Sequence, residues 1–250
     1  MPSILDLLRD PATLTVFALF AALAVWERIT PGRALPQVRG WNARALLAFV
    51  LFLAVSIYLP LLLADWIAPL HLFDLSAWPT VGAAALGVLV YEFGAYAYHR
   101  SLHSFTPLWR AVYQMHHSAE RLDVPGAFWF GPLDMIGWSL LPALALTLLG
   151  LAPTAATAAA LFITFLGIFQ HANLRTPRWL GYFIQRPESH SVHHQRGVHR
   201  HNYADLPLID MLFGTFRNPR EHARDTGFWH GASARLIDLL LARDISRAPR

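Results

Sequence analysis

Residues 45–64 read ALLAFVLFLAVSIYLPLLLA, twenty residues without a charge. A helix needs about 20 mostly apolar residues to cross the hydrocarbon core of a bilayer, so this stretch predicts a membrane span and sets the fold class. Working outward, residues 79–98 are nearly as apolar but contain Glu92. Residues 135–151 and 153–170 form two shorter apolar blocks with almost no connection between them, as in a tight helical hairpin. On the N-terminal side, 12–26 is a fifth block that ends in Trp26, Glu27 and Arg28, the usual chemistry of a membrane boundary.

The whole composition agrees with a bilayer as solvent. Of 250 residues, 55% are hydrophobic and 14% charged, against about 25% charged in an average soluble domain. The net charge of +4 comes from 20 basic residues, all arginine. They are scattered between the apolar blocks instead of forming one stripe, which argues against nucleic acid as a partner. The first eleven residues, MPSILDLLRDP, lack the basic start and cleavage site of a secretory signal, so the first apolar block is expected to stay as an anchor.

Arginine placement predicts orientation. Arg28, Arg33, Arg39 and Arg44 lie between the first and second blocks, whereas residues 65–78 contain none. The positive-inside rule puts the former loop in the cytoplasm, and alternation puts residues 99–134 and everything after His171 there too. The expected architecture is an all-α, multi-pass integral membrane bundle of four to five apolar helices (12–26, 45–64, 79–98, 135–151 and 153–170). Together with a cytoplasmic histidine-rich helical cap (99–134 and 171–250), it makes one membrane domain over 1–250.

With no cysteine in the chain, any metal must be held by nitrogen and oxygen. Thirteen histidines are present, and ten of them fall between His99 and His201. His99 and His103 in HRSLH stand four apart at the exit of the third block, on one face if the helix continues. His116 and His117 follow in YQMHH. His190, His193 and His194 in HSVHH have spacings of three and four that converge on one helical face, and His171 ends the last apolar block. Neutral imidazole binds zinc, copper, iron or nickel, and seven or eight imidazoles are too many for one ion, which implies two. His199 and His201 are weaker candidates on a loop, while the solitary His71, His222 and His230 read as ordinary interfacial or hydrogen-bonded residues. Glu92, two helical turns before His99, is expected to hydrogen-bond a ligand imidazole from behind. Asp123, Glu188, Asp205 and Asp210 are weaker candidates for the same role.

Besides HRSLH and HSVHH, the stretches LWRAVYQMHHSAERLDV, FQHANLRTPRWL and HNYADLPLIDMLFGTFRNP occur in the order seen in the fatty acid hydroxylase and sterol desaturase superfamily, which the chain resembles from about Tyr91 to Pro219. The resemblance implies a membrane oxygenase that hydroxylates or desaturates a lipid, whether fatty acyl, sterol or carotenoid-like, with dioxygen. It also implies two iron ions on the histidines, for which zinc could substitute. The sequence has no nucleotide-binding glycine turn, so electrons are expected from a separate donor of ferredoxin or cytochrome type.

Two positions depart from the family pattern. Tyr113 stands where the middle HxxHH motif has its leading histidine, which leaves three readings open. Tyr113 coordinates through its phenol, or His171 or His201 fills the vacancy, or one metal site is weak. Gly131 stands where many relatives have histidine, and no metal is assigned to it. The preceding aromatics Phe128, Trp129 and Phe130 line a lipid entrance or belong to an interfacial belt, as Trp66 and Trp78 do. Rival functions are a membrane zinc-dependent lipid hydrolase, weakened because HRSLH lacks the glutamate of HExxH, and a non-catalytic metal-binding membrane protein.

Overall fold

The computed structural model describes residues 2–248. They contain helices and no strand. Five helices carry the fold: α1 (Pro11–Ile29), α2 (Trp41–Leu62), α3 (Thr80–Ser104), α4 (Pro132–Leu148) and α5 (Pro153–His171). All but α4, the shortest, are long and apolar enough to cross a membrane.

Local chemistry explains where they begin. Pro11, Pro132 and Pro153 occupy first-turn positions, where the missing N–H costs nothing. Asp10 caps α1 by accepting from the Thr13 N–H at 2.8 Å. The α4–α5 connection is as tight as the sequence predicts: Gly150 has φ +59°, and a Cβ there would strike the Phe73 carbonyl. Residues Leu72, Phe73 and Leu75 donate their N–H groups to the carbonyls of Leu148 and Leu149 (2.9–3.1 Å), which satisfies the end of α4.

The spans pack through small residues. Ala83, Ala84 and Ala95 of α3 meet Ala155 and Ala159 of α5 in one buried cluster, and a Cβ on the neighbouring Gly87 would lie 2.8 Å from Leu146 Cδ2. Close backbone approach of this kind is how helices associate in lipid, where burial of apolar surface gives no advantage. The outward faces remain apolar and exposed, with Leu47, Val50, Leu51, Val81 and Phe162 among them.

The ends of α1, α3 and α5 and the starts of α2 and α4 meet on one side. There Glu27 Oε2 accepts from the Val124 and Asn173 N–H groups (2.9 and 2.7 Å), and Trp41 Nε1 donates to Asp123 at 2.9 Å. A cap built around α6 (Pro187–His193) closes this end, and α7 (Pro207–Leu212) extends from it. Helix α3 continues past residue 98 to Ser104, the condition under which His99 and His103 share one helical face. Helix α7, drawn from the arginine-rich tail, packs Ile209 against Leu89 and Tyr96 on the flank of α3.

Candidate metal centre

Eight histidines converge where the spans end. His99, His103, His117 and His193 form one group, and His116, His171, His190 and His194 a second, with the candidate ligand nitrogens of each group all within 4.8 Å of one another. In the first group Nε2 of His193 lies 2.9 Å from that of His99 and 3.1 Å from that of His117. In the second, the neighbouring Nε2 atoms of His116, His171, His190 and His194 are 2.9–3.2 Å apart. Two imidazole nitrogens bound about 2.1 Å from one ion at right angles stand about 3.0 Å apart, so both donor sets fit a divalent transition-metal ion. These are all eight histidines expected as ligands.

The pairing differs from the sequence expectation. His190, His193 and His194 were expected to act as one triplet, but α6 sends His190 and His194 to the second group and His193 to the first. The adjacent pair His116–His117 is divided in the same way. Neighbours on a helix diverge by about 100°, so the two rings of an HH dipeptide leave the backbone in different directions.

What fixes the rings lies behind them. His99 Nδ1 meets the Tyr203 carbonyl, His193 Nδ1 the His201 carbonyl and His171 Nδ1 the Gly167 carbonyl, each at 2.7 Å. A carbonyl only accepts, so each Nδ1 carries the proton and each Nε2 presents its lone pair inward. His190 Nδ1 faces Gln185 Oε1 at 3.4 Å; the Gln185 amide donates to Gln170 Oε1, and the Gln170 amide to Asp205 Oδ1 (2.7 Å each). Tyr203, Gly167, Gln185 and Gln170 carried no signal in the sequence, because backbone carbonyls and amides do this work whatever the motif.

Glu92 does not bond an imidazole. Its Oε2 accepts from the N–H groups of Asp205 and Leu206 (2.8 and 3.0 Å), so it acts through the loop whose Tyr203 carbonyl holds His99. Of the weaker acidic candidates, Asp210 accepts from the Tyr203 and Ala204 N–H groups, Glu188 pairs with buried Arg186 at 3.0 Å, and Asp123 pairs with Arg121 and Trp41. Only Asp205 reaches a ligand candidate, through the two glutamines.

His201 lies outside both groups and contributes its carbonyl; it sits in the left-handed region at φ +74°. His199 stands beside His117, Nδ1 to Nδ1 at 3.0 Å. Tyr113 ends a π-helical turn, Trp109–Tyr113, of the kind that often marks functional sites, and its hydroxyl lies 2.7 Å from His99 Nε2. Each group already has four imidazoles without it, with His171 completing the second.

Burial holds His116, His117, His190, His193 and His194 well below the usual imidazole range, and the neighbouring imidazoles push in the same direction. They are therefore neutral near pH 7, the form that binds metal.

Between α2, α4 and α5 a cavity of about 280 Å³ opens onto this centre. Phe52, Phe128, Phe130, Pro142 and Ile163 line its apolar walls, and its floor is formed by His99, Tyr113, His116, His171 and His190. The aromatic run 128–130 is thus buried, with Phe128 and Phe130 on the cavity wall, while Trp66 and Trp78 are exposed as belt residues would be.

The fatty acid hydroxylase family model matches residues 84–215. An ornithine lipid hydroxylase, OlsE, from Rhizobium tropici is 32% identical over 179 residues, which cover 69% of this chain and 53% of that protein. A Delta(7)-sterol-C5(6)-desaturase from Nicotiana tabacum is 29% identical over 143 residues, 55% of this chain and 51% of that protein. The chain spans about half the length of these curated relatives. No solved structure matches it. The family match takes in just over half of the chain, from α3 through both histidine groups to the end of the α7 loop, and the chain belongs to the fatty acid hydroxylase family.

Proposed function

We propose that this protein is a membrane-bound di-iron oxygenase that hydroxylates or desaturates a lipid, using dioxygen and two electrons from a separate ferredoxin- or cytochrome-type donor. The supporting observation is that one apolar cavity ends on imidazoles of both histidine groups. His99, His103, His117 and His193 hold one ion in this reading, and His116, His171, His190 and His194 the other. Bound iron supplies the chemistry of dioxygen reduction and C–H oxidation. The chain's own residues do the rest.

Phe52, Phe128, Phe130 and Ile163 keep water from the reacting carbon and hold an acyl or ring system in register, so that depth in the cavity selects the carbon. Tyr113 stands where the cavity meets the first group and places a hydroxyl against His99. The carbonyls of Tyr203, His201 and Gly167 keep the imidazoles aimed inward. The metal centre faces the cytoplasm by the arginine distribution, where a soluble donor can reach it.

Anaerobic purification with metal analysis, followed by comparison of host lipids with and without the protein, tests this reading. Two irons per chain and a lipid that gains one oxygen or loses two hydrogens are expected. Zinc alone, with no redox spectrum and no altered lipid, would instead indicate a zinc hydrolase or a non-catalytic metal-binding protein.

A further inference from the structure

Residues 202–217 leave the cap and return to it at one point. Asn202 donates its N–H to the Thr215 carbonyl (3.1 Å), accepts from the Arg217 N–H at Oδ1 (2.7 Å) and donates its amide to the Arg217 carbonyl (3.0 Å). Between these pins the chain descends along α3. Leu206 N–H reaches Glu92 at 3.0 Å, Ile209 packs against Leu89 and Tyr96, and the Phe213 ring stacks on Tyr96 with centroids 4.7 Å apart. Glu92 and Leu89 precede His99 by seven and ten residues, hence by about 10 and about 15 Å along the helix. Helix α7 therefore lies beside the apolar length of α3, below the level of the histidines.

The face of α7 turned away from α3 is apolar and uncovered: Leu208 is 52% and Leu212 63% exposed, with Met211 beside them, and Phe213 is half exposed at the edge of its stack on Tyr96. The adjoining turn, Arg178–Tyr182, adds exposed Trp179 and Phe183, and Tyr182 packs on Phe216. Non-helical backbone is tolerated at membrane depth only where its polar groups are satisfied internally, and most N–H groups of this loop have an internal acceptor. Asp210 takes the N–H groups of Tyr203 and Ala204, Glu92 those of Asp205 and Leu206, the Asp210 carbonyl those of Thr215 and Phe216, and residue 207 is proline.

We infer that residues 206–213 form a re-entrant element whose outer face, Leu208, Met211, Leu212 and Phe213, lies among the acyl chains of the leaflet on the histidine side. The occupant of this face is the lipid bilayer itself, continuous with the exposed apolar faces of the spans. Trp179, Tyr182 and Phe183 sit beside it as interfacial aromatics. Because the neck of the loop supplies the carbonyls that hold His99 and His193, the bilayer braces the imidazoles through this segment.

The absence of native cysteine makes a direct test available. Single substitutions Leu208→Cys and Leu212→Cys, with Met211→Cys in reserve and Arg224→Cys as a water-facing control, each carry a thiol-linked fluorophore on the full chain. The labelled proteins are placed in phosphatidylcholine nanodiscs. Quenching is read with a phospholipid bearing a nitroxide midway along its acyl chain, and with aqueous iodide. At the loop positions we expect the nitroxide lipid to remove most of the emission and iodide little, with the reverse at Arg224. Iodide quenching at either loop position as strong as at Arg224 overturns the proposal, and would mark a face turned to water or to a protein partner.

Discussion

The Tyr113 hydroxyl lies 2.7 Å from His99 Nε2, on the ring nitrogen left free because His99 Nδ1 is held by the Tyr203 carbonyl at 2.7 Å. The phenol therefore touches the one histidine of the first group that also lines the cavity. Tyr113→Phe removes the hydroxyl and keeps the ring. The hydroxyl sits at the ligand nitrogen, on the cavity side of the ion site, so product formed per bound iron should fall by about 2- to 10-fold, the worth of one hydrogen bond, while total iron changes little. Unchanged turnover would show that the hydroxyl is a bystander.

Removing one imidazole from each group should act on the groups separately. His117→Ala and His190→Ala are each expected to lower metal content from two ions toward one, and the double variant toward none, as read by elemental analysis of purified protein. Equal loss of both ions from either single variant would mean that the groups bind as one cooperative unit.

Glu92 serves the loop, which separates two substitutions. Glu92→Ala leaves the buried N–H groups of Asp205 and Leu206 without an acceptor, at a cost of about 1–3 kcal/mol for each, whereas Glu92→Gln keeps an oxygen for them. The thermal midpoint in detergent should drop clearly for alanine and much less for glutamine. Equal drops would point to a need for the charge itself.

Acid should destabilise the metal-free fold. Burial pushes His199 down to about 4, and burial together with the nearby Arg33 guanidinium takes His222 to about 4 as well, whereas histidines of the unfolded chain titrate near about 6.5. Above about 6.5 both states are neutral at these rings. As the pH falls from about 6.5 toward about 4, only the unfolded chain takes up protons there, so stability is lost across that window. Thermal midpoints of the chelator-treated protein should decrease on going from about pH 7.5 to about pH 5; a rise would contradict the assigned protonation states.

Cavity length can be altered without touching a ligand side chain. Gly167 lines the cavity, and a Cβ there meets only Phe128 Cε1, at an ordinary 3.7 Å. Gly167→Leu should project into the space above the histidines, leave iron content intact, and suppress modification of long-chain lipids. Retained product with the same chain-length profile would place the substrate elsewhere.

Much of this fold is legible in the sequence because apolar blocks of span length have few alternatives. The tight connection at Gly150 follows from block spacing, and the gathering of more imidazoles than one ion needs follows from their number. The division of the ligands is not legible, since it depends on which ring each neighbour meets across the bundle: His193 joins His99 of α3, while His194 joins His171 of α5. Glu92 illustrates a second limit. Its distance from His99 along α3 is correct, but the loop of residues 203–206, more than a hundred positions away, lies between them. Residues 206–213 show a related limit. Their place beside α3 comes from packing on Leu89 and Tyr96, which a polar neighbourhood in the sequence conceals.

Both HH dipeptides are divided, His116 and His117 in one connection and His193 and His194 at the end of α6, with one ring in each group, and the His117 and His194 rings stack face to face across the divide at 4.1 Å between centroids. Consecutive Cα atoms are held about 3.8 Å apart by the peptide bond. The gap between the two groups is thus measured twice by a covalent ruler, and bending of the helices around it has little leverage to change that gauge.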